Sequence, residues 1–227
     1  MRRFLFSAIA FINSSLLFAQ QQINLPEARF KTGNDKKYSQ PGFDDSKWQI
    51  LKTNELWDEQ GFKDYDGYAW YRFHVNIPSS LKKYSFWKDS LRIDMAKIDD
   101  ADEVYLNGTL IGKKGSFPNE PGGYVTSWDQ EREYHIATTN PAILWDAENI
   151  IAVKVYDGGG LGGIYGGTPY INIMDLIDGI KISFRESRAD TGDKLIVPFV
   201  ISNNIREPVS GLLKLRVLDT ETDQLVK

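Results

Sequence analysis

Five aromatic side chains fall in stretches that lack strand periodicity: Trp57, Tyr65, Tyr68, Trp128 and Tyr165. Each offers an apolar face with a polar handle, the kind of surface on which the C–H face of a sugar ring stacks. The hydroxyls of such a ligand call for carboxylate, amide or guanidinium partners, which Asp66, Arg72 and Asp157 would supply. Loops at one end of a rigid scaffold are where binding residues collect. The candidate sugar-binding set is therefore Trp57, Asp66, Tyr68, Arg72, Trp128, Asp157 and Tyr165. Trp48, Trp70 and Trp145 stand beside short turns or strand starts and read as core.

Other chemistry finds less support. Glycoside hydrolysis needs two carboxylates roughly 5–10 Å apart across a cleft. Acids are plentiful (Asp58, Glu59, Asp64, Asp66, Glu131, Glu133), but none has a sequence context that would raise its pKa, and no catalytic residue is assigned. His74 and His135 sit on expected strands without metal-ligand spacing, and no G-x-S-x-G elbow occurs. The absence of cysteine excludes disulfides, zinc–thiolate sites and thiol nucleophiles. Gly158 to Gly163 satisfies G-x-G-x-x-G, but Ile164 to Pro169 cannot open the helix that a dinucleotide site requires. The run reads as a rim loop whose bare backbone lets a ligand approach. Asp99, Asp100 and Asp102 are candidate ligands for a structural Ca2+, which wants six to eight oxygens. They lack the spacing of an EF-hand, and the competing reading is a turn in which Asp caps backbone amides.

The elements that must position these residues are strands. In Ala69 to Ile77, the residues Tyr71, Phe73, Val75 and Ile77 alternate with Arg72, His74 and Asn76. Leu91, Ile93 and Met95 alternate with Arg92 and Asp94; Ile151, Val153 and Val155 alternate with Ala152, Lys154 and Tyr156. Period-two patterning with one apolar face marks antiparallel sheets. Asn107-Gly108 between two apolar runs predicts a type I′ hairpin, which also accounts for the glycosylation-like Asn107-Gly108-Thr109. Helical turns are expected only at Phe43 to Trp48 and Pro141 to Trp145. A break is expected near Met174 to Gly179. After it, strands at 180–184, 194–202, 213–218 and 224–227 have the spacing of a partial immunoglobulin-like sandwich.

Bulk properties agree with this picture. The chain has 227 residues, 13% aromatic, with 19 Gly and 9 Pro, which favours an all-β protein of one or two domains. A net charge of −4 argues against nucleic acid as partner. Arg2-Arg3, an apolar Phe4 to Phe18 and Ala19 have the layout of a secretory signal peptide, with an apolar run too short and interrupted for a membrane span. The protein is therefore expected to be exported, to the periplasm or the exterior of a bacterial cell, and no later stretch is expected to cross a membrane. Losing Arg2 and Arg3 takes the net charge from −4 to −6.

Three series are distinctive in their order. They are Phe43-Asp44-Asp45-Ser46-Lys47-Trp48 through Leu56-Trp57-Asp58 to Asp66-Gly67-Tyr68-Ala69-Trp70-Tyr71-Arg72; Ile98-Asp99-Asp100-Ala101-Asp102-Glu103-Val104-Tyr105-Leu106-Asn107-Gly108 followed by Ile111-Gly112; and Tyr134-His135-Ile136 before Glu148 to Asp157. Together they resemble the N-terminal sugar-binding domain of glycoside hydrolase family 2, over roughly residues 40–175. The same galactose-binding-like jelly roll is similar to modules of sialate O-acetylesterases and related exported bacterial enzymes. After the leader (1–19), the resemblance implies a galactose-binding-like jelly-roll domain (20–176) and the start of an immunoglobulin-like domain (177–227). It implies a non-catalytic glycan-recognition module of a polysaccharide-degrading system, with a glycan as ligand and a catalytic domain or partner chain beside it. The alternatives are the N-terminal part of a β-galactosidase-like glycosidase or carbohydrate esterase, and a purely structural sandwich.

The leader reading predicts an exported protein that starts at or near Gln20. Intact-mass measurement of the exported protein checks it, and a mass that retains residues 1–19 overturns it.

Overall fold

The computed structural model describes residues 4–11, 22–84, 89–173, 180–184, 188–189, 195–196, 199–203 and 212–219. The chain forms two compact units, one of Gln20–Asp178 and one that joins Met1–Ala19 to Gly179–Lys227. In chain order the first strands are β1 (Phe4–Phe11), β2 (Ile23–Asn24), β3 (Glu27–Thr32), β4 (Gln49–Lys52), β5 (Gly67–Asn76) and β6 (Ser90–Asp99). They are followed by β7 (Ala101–Leu106), β8 (Thr109–Lys114), β9 (Glu131–Ala137), β10 (Glu148–Asp157), β11 (Gly163–Tyr165) and β12 (Tyr170–Ile173).

The Gln20–Asp178 unit is an antiparallel β-sandwich. One sheet has the order β4-β3-β5-β10-β7-β8, and the other β11-β6-β12-β2 with β9 also on β6. The expected alternation holds between them: Tyr71, Phe73, Leu91, Ile93, Met95, Ile151, Val153 and Val155 are buried in one core. The β7–β8 hairpin turns at Asn107 (φ 49°) and Gly108 (φ 83°), the two positive φ values of a type I′ turn. Both amide hydrogens of Asn107 are used, on Ala142 O and Asn149 Oδ1 at 2.8 Å each, so the hairpin leaves no free amide for a glycan.

The outer face of β5 differs from expectation. Arg72 is not at the surface but wholly buried. The segment between β3 and β4 folds over it, and Asp45 Oδ2 accepts from Arg72 Nε at 2.6 Å while Gln40 O accepts from Nη1 at 3.0 Å. Trp48, Trp70, Tyr105 and Ala152 make a second small core on this face, capped by Tyr38 and Phe43. Trp145 is half-buried against the main core. The helical turns expected at Phe43–Trp48 and Pro141–Trp145 are plain turns. The observed 3₁₀ segments are Lys36–Ser39, Trp57–Gln60 and Ser79–Tyr84.

A second buried arginine lies inside the sandwich. Arg132 and Asp102 are both fully buried and paired at 2.7 Å. The remaining Arg132 N–H groups reach Ser127 O, Gln130 O, Ile98 O and Asp100 O. Tyr134 donates its hydroxyl to the other Asp102 oxygen.

The other unit is also β. Here β1 pairs antiparallel with β17 (Leu212–Asp219). Strands β13 (Ile180–Phe184) and β16 (Phe199–Asn203) form a second pair, β14 (Arg188–Ala189) and β15 (Leu195–Ile196) a third. The first part of the apolar run, Phe4–Phe11, is thus a strand, and the rest of it lies outside the described residues. The expected break at Met174–Gly179 and the strand at Gln224–Lys227 lie outside the described residues. No helix among the described residues is long and apolar enough to cross a membrane.

Removing one partner of a buried ion pair leaves a bare charge in the core. Arg132→Ala is expected to cost about 3–5 kcal/mol, read as a lower urea midpoint at unchanged m-value. A loss below about 0.5 kcal/mol, the size of an ordinary surface substitution, would show that Arg132 does not organise the fold.

Candidate functional site

The chain crosses twice between the sheets at the same end of the sandwich. It leaves the smaller sheet after Asp99 and enters the larger one at Ala101; it returns through Asp157–Gly162 into β11. The two crossings are bonded side by side: Asp100 N donates to Tyr156 O at 3.0 Å, and Gly163 pairs with Asp99 in the β6–β11 register. Acids therefore gather here because both crossings carry them.

Asp100 is the hub of this end. Its Oδ2 accepts from Gly158 N at 2.9 Å and from the Tyr124 hydroxyl, and its Oδ1 accepts from the Thr126 hydroxyl. Burial opposes its ionisation, yet hydrogen bonds from Asp99, Thr126, Tyr124 and Gly158 outweigh that and hold it below the usual carboxylate range. Asp99 goes the other way: burial, then the hydrogen bond and charge of Asp100, push it up to about 8. Asp157 is fully buried and is pushed up to about 6, chiefly by burial, with the charges of Asp100, Asp66 and Asp58 adding. Asp157 Oδ1 accepts from Gly159 N at 2.8 Å, while Oδ2 has no partner. One carboxylate oxygen each from Asp99, Asp100 and Asp157 lies within 4.8 Å of the others.

Around these acids stands an exposed apolar rim. Trp128 is 53% exposed, Val125 and Leu161 55% each, and Tyr124 39%. Tyr165 is fixed beside them by donating its hydroxyl to Trp128 O at 2.6 Å. Two glycines set the close packing underneath. A Cβ on Gly162 would stand 2.1 Å from the Trp57 ring, and one on Gly158 2.6 Å from the Tyr124 hydroxyl.

The sequence-derived set thus divides. Trp128, Tyr165, Asp66 and Asp157 gather at this end, Asp66 exposed and Asp157 sealed beneath the rim. Trp57 does not belong to the rim. Its backbone N–H donates to Gly162 O at 2.9 Å, and its ring turns inward against Phe30 and Tyr71, fully buried. Arg72 is spent on Asp45 on the far face. Tyr68 is half-buried next to this end, on a groove of 340 Å³, with its ring under the Lys154 ammonium and against Phe117 and Tyr156, the latter packed in turn on Tyr124. Asp102 leaves the cation set because Arg132 and Tyr134 hold it; Asp157 takes its place near Asp99 and Asp100. His74 is bound to Asp45 and His135 to Glu133, so neither serves this end. Tyr124, Thr126 and Leu161 were not foreseen. For Arg132 a signal existed, because it shares the inward phase of Tyr134 and Ile136 on β9.

An antiparallel jelly-roll sandwich with an aromatic loop end is the class that this fold and site define. No protein-family model matches the chain, and no curated protein matches it in sequence. Solved structures do match. A Bacteroides uniformis β-glucuronidase superposes with a TM-score of 0.55 at 16% identity, over 91% of this chain and 31% of that one. A glycoside hydrolase family 2 member from Bacteroides cellulosilyticus gives 0.56 at 15%, over 90% and 34%. A Bacteroides vulgatus β-glycosidase gives 0.53 at 20%, over 87% and 28%. The chain therefore has the fold of the N-terminal region of glycoside hydrolase family 2 enzymes, and spans about a third of their length.

The different burial of two tryptophans is testable by stability alone. Trp57→Ala is expected to cost about 3–5 kcal/mol, whereas Trp128→Ala should stay within about 0.5 kcal/mol. Chemical denaturation of the two variants checks this; equal losses would contradict the placement of either ring.

Proposed function

We propose that the chain is a non-catalytic carbohydrate-recognition module of an exported polysaccharide-degrading system. The observation that carries this reading is Trp128, a large aromatic 53% exposed with its carbonyl anchored by Tyr165, at the loop end that also carries Tyr124 and Asp66. A sugar ring would stack on the indole and hydrogen-bond to Asp66 and the Tyr165 hydroxyl. The Gly158–Gly160 backbone leaves room for it, and Asp157 acts from below as a support of that loop. Export through a cleaved leader of residues 1–19 belongs to the same proposal.

The likeness to solved glycosidases three times as long supports a second reading, the N-terminal part of a glycosidase or carbohydrate esterase whose catalytic groups lie on another domain. The coding sequence beyond codon 227 separates the two, since a downstream barrel domain would favour the enzyme.

Titration with oligosaccharides (glucuronides, galactosides, mannosides and plant-polysaccharide fragments) by calorimetry in the presence of chelator tests the first reading. Binding of at least one is expected, and Trp128→Ala is expected to weaken it by roughly tenfold or more, about 1.4 kcal/mol. Absence of binding at millimolar sugar, or a variant that binds like the wild type, would leave the sandwich a structural role.

A further inference from the structure

We propose that Asp99, Asp100 and Asp157 bind one hard divalent cation of the calcium class where the chain crosses between the two sheets. Three features carry this. First, the spacing fits a single ion. Calcium takes oxygen ligands at about 2.3–2.6 Å, so two ligands on opposite sides stand roughly 4.6–5.2 Å apart, and the three carboxylate oxygens lie within 4.8 Å of one another.

Second, one oxygen lacks any partner. Asp157 is fully buried, Gly159 N satisfies its Oδ1, and Oδ2 has no donor. A buried carboxylate oxygen without a donor costs free energy, and a cation removes that cost. Third, no ion pair neutralises the trio, although the Arg132 charge reaches Asp99. Among the described residues no Lys or Arg forms an ion pair with any of the three, and Arg132 directs its N–H groups at Asp102 and at loop carbonyls.

The hard oxygen donors and absence of histidine or sulfur select calcium over softer ions. Waters and nearby carbonyls would complete the six to eight ligands that calcium takes. Bound there, the ion would tie β6 and β7 to the Gly158–Gly160 loop, and through Asp100 to Tyr124 and Thr126. Asp102, the third acid of the consecutive sequence cluster, takes no part. Cation binding here does not depend on sugar binding.

The test uses the full chain stripped with chelator. Calorimetric titration with calcium chloride is expected to show one saturable site, and thermal unfolding a rise in Tm of several degrees that EGTA reverses. Asp157→Asn is expected to abolish the heat of binding while the far-UV dichroism is kept. Should that variant not fold, the wild type still decides the matter. Terbium bound at the trio lies beside Tyr124, so excitation of that ring is expected to give sensitised emission that calcium displaces. A wild type with no calcium heat, no calcium-dependent Tm and no displaceable terbium emission at millimolar metal overturns the proposal. A folded Asp157→Asn that binds calcium as tightly as the wild type does so too.

Discussion

The buried pair of Arg132 and Asp102 governs the loop end of the sandwich that carries the exposed rim. A guanidinium in the core must satisfy all of its N–H groups, because an unpaired charge there is far more costly than any surface contact could offset. Arg132 meets that demand with one carboxylate and with carbonyls of Ile98, Asp100, Ser127 and Gln130. These carbonyls come from the end of β6, the crossing into β7 and the loop that precedes β9. The arrangement therefore fixes the course of three chain segments at once. Apolar residues in place of the pair could fill the volume and match its stability, but they could not gather carbonyls. The ion pair is best understood as a device for geometry, with the rim of Tyr124, Val125 and Trp128 as what it positions.

The same solution appears on the opposite face. Arg72 is equally buried, held by Asp45 Oδ2, and takes Tyr38 and Gln40 carbonyls from the segment that covers β5. There the product is a second small core of Trp48, Trp70 and Tyr105. Each arginine fastens irregular chain to a sheet, since a covering loop cannot supply a ladder of its own and its carbonyls must be met by side chains. The difference lies in what is left outside. Over Arg72 the loop closes the face with Tyr38 and Phe43, whereas over Arg132 the loop turns its large side chains outward.

Strand patterning was legible in the sequence because period two follows directly from the pleat. Tyr71, Phe73, Leu91, Ile93, Ile151 and Val153 are inward as read, and Asn107-Gly108 turns as its residue types require. What the pattern cannot reveal is whether the other face of a strand is covered. Arg72 lies in the outward phase as expected, yet a long loop lies over it, and no local signal in residues 33–48 states that this loop folds back. Trp57 failed for a related reason. It sits in a non-periodic stretch, so it looked like a loop aromatic, but a 3₁₀ turn swings its ring under Gly162. The glycine that admits it is 105 positions away in the chain. Asp157 was read at the binding end, and its partnership with Asp99 and Asp100 depends on two sheet crossings meeting, which is a property of topology rather than of spacing. Asp102 illustrates the converse, since adjacency in sequence put it among the acids while strand alternation turned its side chain inward to Arg132.

These placements explain how one end of the molecule can be both stiff and open. A rim aromatic contributes to binding only if its orientation is already set, because ordering a loose loop consumes the free energy that contact supplies. Trp128 meets this condition without being buried: its own carbonyl accepts from Tyr165, its neighbour Ser127 is bonded to Asp100 and to Arg132, and the indole stays in solvent. Trp57 and Gly162 fill the space beneath, so the Gly158–Gly163 backbone rests on a ring instead of on water. The fold has thus given different places to two tryptophans that look alike in sequence, one as foundation and one as exposed rim. The separation is enforced by glycine, since any side chain at 162 would collide with the foundation and displace the loop that carries Leu161 at its tip.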